Sequence, residues 1–272
     1  VGNELTKGNQ SLSSTVSESD RKELQLAKHL LENPGIAAKI TSIIGMPVEK
    51  GIERLPKNWG DRIGKLTRTA LMKASEAAIF TLKDVPSKAS SDRWHKLSVA
   101  ASGGVSGFFG LTALAIELPV STTIMLRSIA EIARSQGESI SDPKTKLACL
   151  EVFALGGSKK SDDAAGSGYY AVRALLSKSI SEAAEFVVER GLAEKGAPVL
   201  VRLIAVISQR FGVQITEKAA AQAIPAIGAA GGALINTIFM DHFQAMAKGH
   251  FIVRKLERKY GKEVIKSLYE KL

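Results

Sequence analysis

A chain of 272 residues, 45% hydrophobic and 24% charged, carries enough apolar material for a sizeable core and lies outside the composition of disordered proteins. A net charge of +10 and a pI near 9.6 call for an anionic partner, phospholipid or polynucleotide, without choosing between them. The single cysteine, Cys149, excludes an internal disulfide and any multi-cysteine metal site, and with aromatics at 6% the core is expected to pack through aliphatic and alanine side chains.

Residues 1–20 are rich in Ser, Asn, Gln and Gly, and read as a flexible polar tail without the basic-then-apolar order of a signal peptide. The expectation is a single helical domain over 21–272. Leu24, Ala27, Leu30 and Leu31 share one helical face that Asn33-Pro34-Gly35 stops, and Ile36, Ile40, Ile43 and Ile44 repeat the pattern. Asp61 is expected to cap a helix with Ile63, Leu66, Ala70, Ala74 and Ala77 inside, ending near Val85-Pro86-Ser87. Asp142-Pro143 sets a cap acceptor before a proline at the first helical position, and Gly156-Gly157 closes that helix. Gly191, Gly212 and Gly261 each follow an apolar-periodic run as a terminating glycine would, and Pro198 opens another helix. No β-branched run alternates over strand length, so the fold class is all-α, a compact multi-helix bundle.

Two apolar segments stand apart. Between Lys96 and Arg127 the only charge is Glu117, and between Lys218 and Asp241 there is none. Each carries a G-x-x-x-G spacing, Gly103 to Gly107 and Gly228 to Gly232, which clears a ridge for close helix approach. At mid-membrane a large aliphatic contributes roughly −0.3 to −0.6 kcal/mol and a carboxylate costs about +2.5 kcal/mol or more, so Glu117 cancels most of its segment's gain. Buried central helices are therefore expected ahead of interfacial insertion, with true spanning last.

The stretch from Trp94 to Gly104, WHKLSVAASGG, continuing through Phe108-Phe109-Gly110 and AIELPVSTTIMLRSI from Ala115, resembles the EcsC protein family. So do LACLEVFALGG from Leu147, SDDAAGSGYYAVR from Ser161 and NTIFMDHFQ from Asn236, and the similarity covers roughly residues 60–262. The resemblance implies a helical bacterial protein near the membrane, from a family named after a gene beside an ABC-transporter pair. Some relatives carry a peptidase label, but no agreed catalytic residue carries over.

A peptidase needs an activated nucleophile or a metal with its ligands on one face. Neither H-E-x-x-H nor a G-x-S-x-G elbow is present, and Cys149 reads as a small buried hydrophobe. His242 and His250, eight residues apart on one helix, lie about 12 Å and 80° apart, too far to share a metal unless Gly249 breaks the helix. No metal and no cofactor are expected. Glu117 needs a partner in its apolar surroundings, for which Arg127 is the candidate.

Glu117, Arg127, Glu151, Asp241 and His242 form a candidate polar pocket. Gly156, Gly157, Lys159, Lys160 and Ser161 form a candidate anion-binding loop, with an ordinary capped loop as the alternative. The basic C-terminal segment, represented by Arg254, Lys255, Arg258 and Lys259, is either a solvated face or a contact for an anionic leaflet. Nucleic acid is not expected, because the basic residues are not interleaved with stacking aromatics. The functional expectation is a cytoplasmic accessory protein peripheral to the membrane's inner face, meeting an anionic surface or a membrane protein complex. The alternative is a hydrolase, peptidase or lipid-handling, built on Glu117, Glu151, Asp241 and His242.

Overall fold

The computed structural model describes residues 16–32, 35–45, 47–79, 110–157, 168–190, 197–224 and 228–272. Among these there are ten α-helices and no strand. In chain order they are α1 (Glu18–Leu31), α2 (Ile36–Ile44), α3 (Glu49–Ile52), α4 (Trp59–Ala74), α5 (Gly110–Ser135), α6 (Pro143–Glu151), α7 (Gly168–Arg190), α8 (Pro198–Gln222), α9 (Gly228–Tyr260) and α10 (Lys262–Lys271).

Local chemistry sets several of the boundaries. Ser17 caps α1 by accepting from the Asp20 amide at 3.2 Å, so the helix begins inside the stretch expected to be a tail. Residues 1–15 of that expectation lie outside the described residues. Asp142 Oδ1 accepts from the Lys144 amide at 2.9 Å, and Pro143 opens α6 as its sequence requires. A single 3-10 turn, Val152–Ala154, follows and ends at Gly156, whose φ of 72° suits glycine. Gly261, at φ 91°, separates α9 from α10.

Three expectations need correction. Helix α4 starts at Trp59 behind Asn58, and Asp61 lies in the first turn, where the helix dipole still favours a carboxylate. A π-turn at Ser75–Ile79 shifts the register after α4 and leaves Ala77 exposed instead of inward. Helix α8 runs straight through Gly212, because Phe211, Ile215 and Ala219 continue the buried face past it. Pro86 and Gly191 lie outside the described residues.

Helices α8 and α9 form the axis on which the others pack. Against α8 lie α2, α3, α4 and α7; against α9 lie α1, α2, α5 and α10. At their junction Phe153, Phe211, Phe239 and Phe243 make a ring cluster, with Phe153 to Phe211 at 4.9 Å and Phe239 to Phe243 at 5.0 Å between centroids. The core is otherwise mostly aliphatic and alanine, as expected, and each tilted or edge-on ring pair in this cluster adds about 0.5–1.5 kcal/mol beyond area burial. Helix α9 is unbroken over 33 residues, about 50 Å, so Gly249 is not a hinge. It is a crossing point: a Cβ there would stand 2.7 Å from Leu31 Cγ and 3.0 Å from the Ala27 carbonyl oxygen of α1. Of the expected small-residue ridges, Gly103 and Gly107 lie outside the described residues, whereas Gly228 opens α9 and Gly232 is buried on it.

Candidate functional site

Glu117, on α5, is buried and needs a cation. Lys218 on α8 supplies it: Nζ donates to Glu117 Oε1 at 2.6 Å, with the two side chains 0% and 4% exposed. The ammonium also lies 5.1 Å from the centre of the Phe239 ring, a face that favours a cation. Arg127, the expected partner, is on the exposed side of α5. The uncharged stretch between Lys218 and Asp241 therefore begins with a buried charge that neutralises the single charge of the other apolar segment. Both segments are joined through this pair.

A second polar cluster connects α6, α7 and α9. Glu151 ends α6 and is buried; its Oε2 lies 3.7 Å from His250 Nε2, while the Tyr169 hydroxyl is 3.0 Å from His250 Nδ1. Burial holds His250 well below the usual histidine range, with Arg173 and Arg254 adding to the effect, so the ring is neutral at pH 7. A phenol donating to Nδ1 then leaves the ring proton on Nε2, facing Glu151. Burial pushes the Glu151 carboxyl up to about 7, against the pull of Arg173 and Arg254. One helical turn from Tyr169, Arg173 holds Glu257 in a two-point pair at 2.7 and 3.0 Å, and the Tyr170 hydroxyl donates to the same carboxylate at 3.2 Å.

The order Tyr169, His250, Glu151 has the outline of a nucleophile, base and orienting acid, but the chemistry runs the other way. Burial raises the Tyr169 phenol far above its ordinary range, so it is not activated for attack. Cys149, two residues before Glu151, is pushed up to about 12 by burial and behaves as a packed thiol. What the cluster does is join α7 to α9 by enclosed hydrogen bonds, with the Glu151 carboxyl of α6 packed against the same histidine.

His242 is also buried, and burial with Lys39 nearby holds its ring down to about 3. It faces Gly156: a Cβ at that glycine would lie 2.5 Å from His242 Nε2 and 2.8 Å from Met246 Sδ. Asp241, the next residue, is exposed. The five nominated pocket residues are thus distributed: Glu117 with Lys218, Glu151 with His250, His242 beneath Gly156, and Arg127 and Asp241 on exposed faces. Of the candidate anion loop, Gly156 and Gly157 are described, with Arg210 donating to the Ala154 carbonyl beside them at 2.8 Å; Lys159, Lys160 and Ser161 lie outside the described residues. Among the described residues no three His, Cys, Asp or Glu side chains gather as metal ligands.

The four nominated basic residues at the end of α9 are all held by carboxylates from other elements. Arg254 and Arg258 share Glu138, which also accepts from Thr145 at 3.0 Å. Lys255 meets Glu23 at 2.5 Å, and Lys259 meets Asp20 at 2.7 Å. The Lys259 and Tyr260 hydrogen bonds hold the Asp20 carboxyl far below its usual range. This part of α9 is fastened to α1 and to the α5–α6 connection. Helix α8 is long and apolar enough to cross a membrane by length and composition, but half of its apolar window is buried inside the bundle.

Lys218 and Glu257 are interior residues that sequence reasoning did not assign, whereas Tyr169 and Arg173 read from the sequence as either bordering a pocket or simply packing. A signal existed for all of these but Lys218. His250 and Glu257 stand seven residues apart on α9 and Tyr169 and Arg173 four apart on α7, so each pair lies on one helical face and can meet the other pair.

A model of the EcsC protein family matches residues 18–256, from the first residue of α1 almost to the end of α9. The match includes α1 to α3, upstream of the region where the sequence resemblance begins. No curated protein and no solved structure matches the chain. The chain belongs to the EcsC protein family.

Proposed function

We propose that this EcsC-family protein is a peripheral membrane-associated accessory protein, a helical scaffold whose interior polar groups serve order and whose surface serves contact. The observation that carries the reading is the enclosure of the residues nominated for chemistry. A hydrolase built on Glu117, Glu151, Asp241 and His242 needs them to converge on a space open to substrate. Instead Glu117 is occupied by Lys218, Glu151 faces His250, His242 lies under Gly156, and Asp241 stands on the outside.

The net charge of +10 favours an anionic surface as the contact, since each basic residue near such a leaflet contributes about 1 kcal/mol. The test is flotation of the full purified chain with vesicles of phosphatidylcholine alone or with phosphatidylglycerol added, at low and high salt. Flotation with the anionic vesicles only, lost as salt shortens the roughly 8 Å screening length of physiological buffer, is the expected result. No flotation with anionic vesicles at any salt overturns the proposal. Equal flotation with both vesicle types, resistant to salt, replaces it with hydrophobic insertion.

A further inference from the structure

We infer that the surface meeting an anionic phospholipid leaflet is the basic face of α3 and α4, not the basic C-terminal segment. The inference rests on the membrane-contact reading above and assigns it a place. By sequence the two segments are equivalent. Residues 50–73 hold seven basic and two acidic residues, a net of +5, and residues 248–272 hold eight and three, also +5.

The fold separates them. Glu138, Asp20 and Glu23 are brought onto Arg254, Lys255, Arg258 and Lys259, and Glu257 is taken by Arg173. In the first segment Lys50, Arg54 and Lys57 lead into α4, where Arg62, Lys65, Arg68 and Lys73 follow, and all seven are exposed. Among the described residues none of them makes an ion pair, and Arg62 meets the neutral Asn58 side chain, whose amide oxygen, turned toward it, accepts from Nε at 3.1 Å.

Their placement on the helix matters as much as their number. At 100° per residue the α4 basic residues occupy an arc of about 140°, and its centre lies almost opposite that of the buried residues Trp59, Ile63, Thr67, Ala70, Leu71 and Ala74. Gly64 lies next to this arc with no heavy atom within 4 Å of a Cβ built on it. Ile52, 45% exposed, adds an apolar side chain between Lys50 and Arg54. The segment's single aromatic, Trp59, is buried with its Nε1–H on Thr216 Oγ1 at 2.9 Å. It offers no ring on which a base can stack, which favours phospholipid over single-stranded nucleic acid.

The experiment compares two variants of equal charge loss in the same flotation assay. One carries Lys65→Gln, Arg68→Gln and Lys73→Gln; the other carries Lys262→Gln, Lys266→Gln and Lys271→Gln in α10, whose three lysines share their ten-residue helix with Glu263 and Glu270 and so present little net charge. The α4 variant is expected to lose about a hundredfold in partition to phosphatidylglycerol vesicles, and the α10 variant less than about fivefold. A charge-preserving variant, Lys65→Arg, Arg68→Lys and Lys73→Arg, should bind as the parent does. If the α4 glutamine variant floats like the parent, if both glutamine variants fall equally, or if the charge-preserving variant is as defective as the glutamine one, the assignment is overturned while membrane contact stands. If the α4 variant keeps vesicle binding but loses binding to a single-stranded oligonucleotide, the face belongs to nucleic acid and the assignment is again overturned. Failure of the parent itself to float removes both proposals.

Discussion

Replacing Gly51 by alanine tests how closely α3 is seated on α8. A Cβ at Gly51 would lie 1.8 Å from the Ala220 carbonyl oxygen, 2.5 Å from its carbonyl carbon and 3.1 Å from its Cα. Ordinary contact begins at 3.4 Å, so the two backbones must separate by about 1.6 Å for one methyl group to fit. Backbone atoms inside a helix cannot rotate aside as a side-chain end can, which places the cost at the upper end of the overpacking range, about 2–3 kcal/mol. For a domain of this size about 2–4 °C of melting temperature accompanies each kcal/mol, so a fall of roughly 4–12 °C is expected. Gly64→Ala in α4 is the control of opposite sign. Its Cβ meets nothing within 4 Å, and alanine in a helix interior is better than glycine by about 0.5–1 kcal/mol. Thermal unfolding followed by circular dichroism reads both. If Gly51→Ala melts at or above the parent temperature, the close approach of α3 to α8 is wrong.

Two further outcomes follow from the buried ionisable groups. Lys218→Met strands the Glu117 carboxylate in the core and should cost about 3–5 kcal/mol, whereas adding Glu117→Leu should recover most of that loss; chemical denaturation of parent, single and double variants checks it, and a double variant as unstable as the single one refutes the pairing. His242 titrates near 6.5 when unfolded and at about 3 when folded, so its contribution is present above pH 6.5 and is lost as pH falls from there toward 3, about 2 kcal/mol of it by pH 5. His250 acts with the same sign, whereas Glu151, raised to about 7, makes stability fall as pH rises from about 4.5. The difference between His242→Leu and the parent isolates the one residue, and an unfolding free energy with the same slope between pH 6.5 and 5 in both would contradict its burial as a neutral ring.

Features written in a few adjacent residues were legible in the sequence. Asp142-Pro143 and Pro198 start helices where expected, Gly156 and Gly261 end them, and Glu117 needs a partner because a carboxylate in apolar surroundings cannot stand alone. The identity of that partner was not legible. Lys218 lies 101 residues away, and a pair between helices leaves no periodicity in either one. Glycines show the same limit. Gly212 has the local look of a helix end but remains helical because the neighbouring apolar face continues, and the close approaches at Gly51, Gly156 and Gly249 occur at glycines outside the G-x-x-x-G spacing. Each depends on what stands across from it: a carbonyl of α8, the His242 ring or the end of α1.

Charge is the property for which this limit decides function. A count along the chain treats Lys259 and Lys65 alike, yet one is 2.7 Å from Asp20 and the other makes no ion pair among the described residues. An ion pair already made inside the protein contributes little attraction to an outside anion, because the field of each member cancels that of the other beyond a few ångströms, and breaking it returns the energy gained at the new surface. The charge available to a partner is therefore the residue left after the fold has matched what it can. In this protein α1 and the α5–α6 connection carry the carboxylates, and they pack against the C-terminal half of α9. The basic residues of α4 face outward from the side opposite its buried contacts with α5 and α8; exposed Asp61 shares their arc, and among the described residues none of them makes an ion pair. Moving one carboxylate onto that face, as in Thr69→Glu, places it four residues before Lys73 and one after Arg68. If the free charge of α4 governs attraction, this exposed substitution weakens vesicle binding by about fivefold, the share of one charge, while leaving the melting temperature within about 2 °C of the parent.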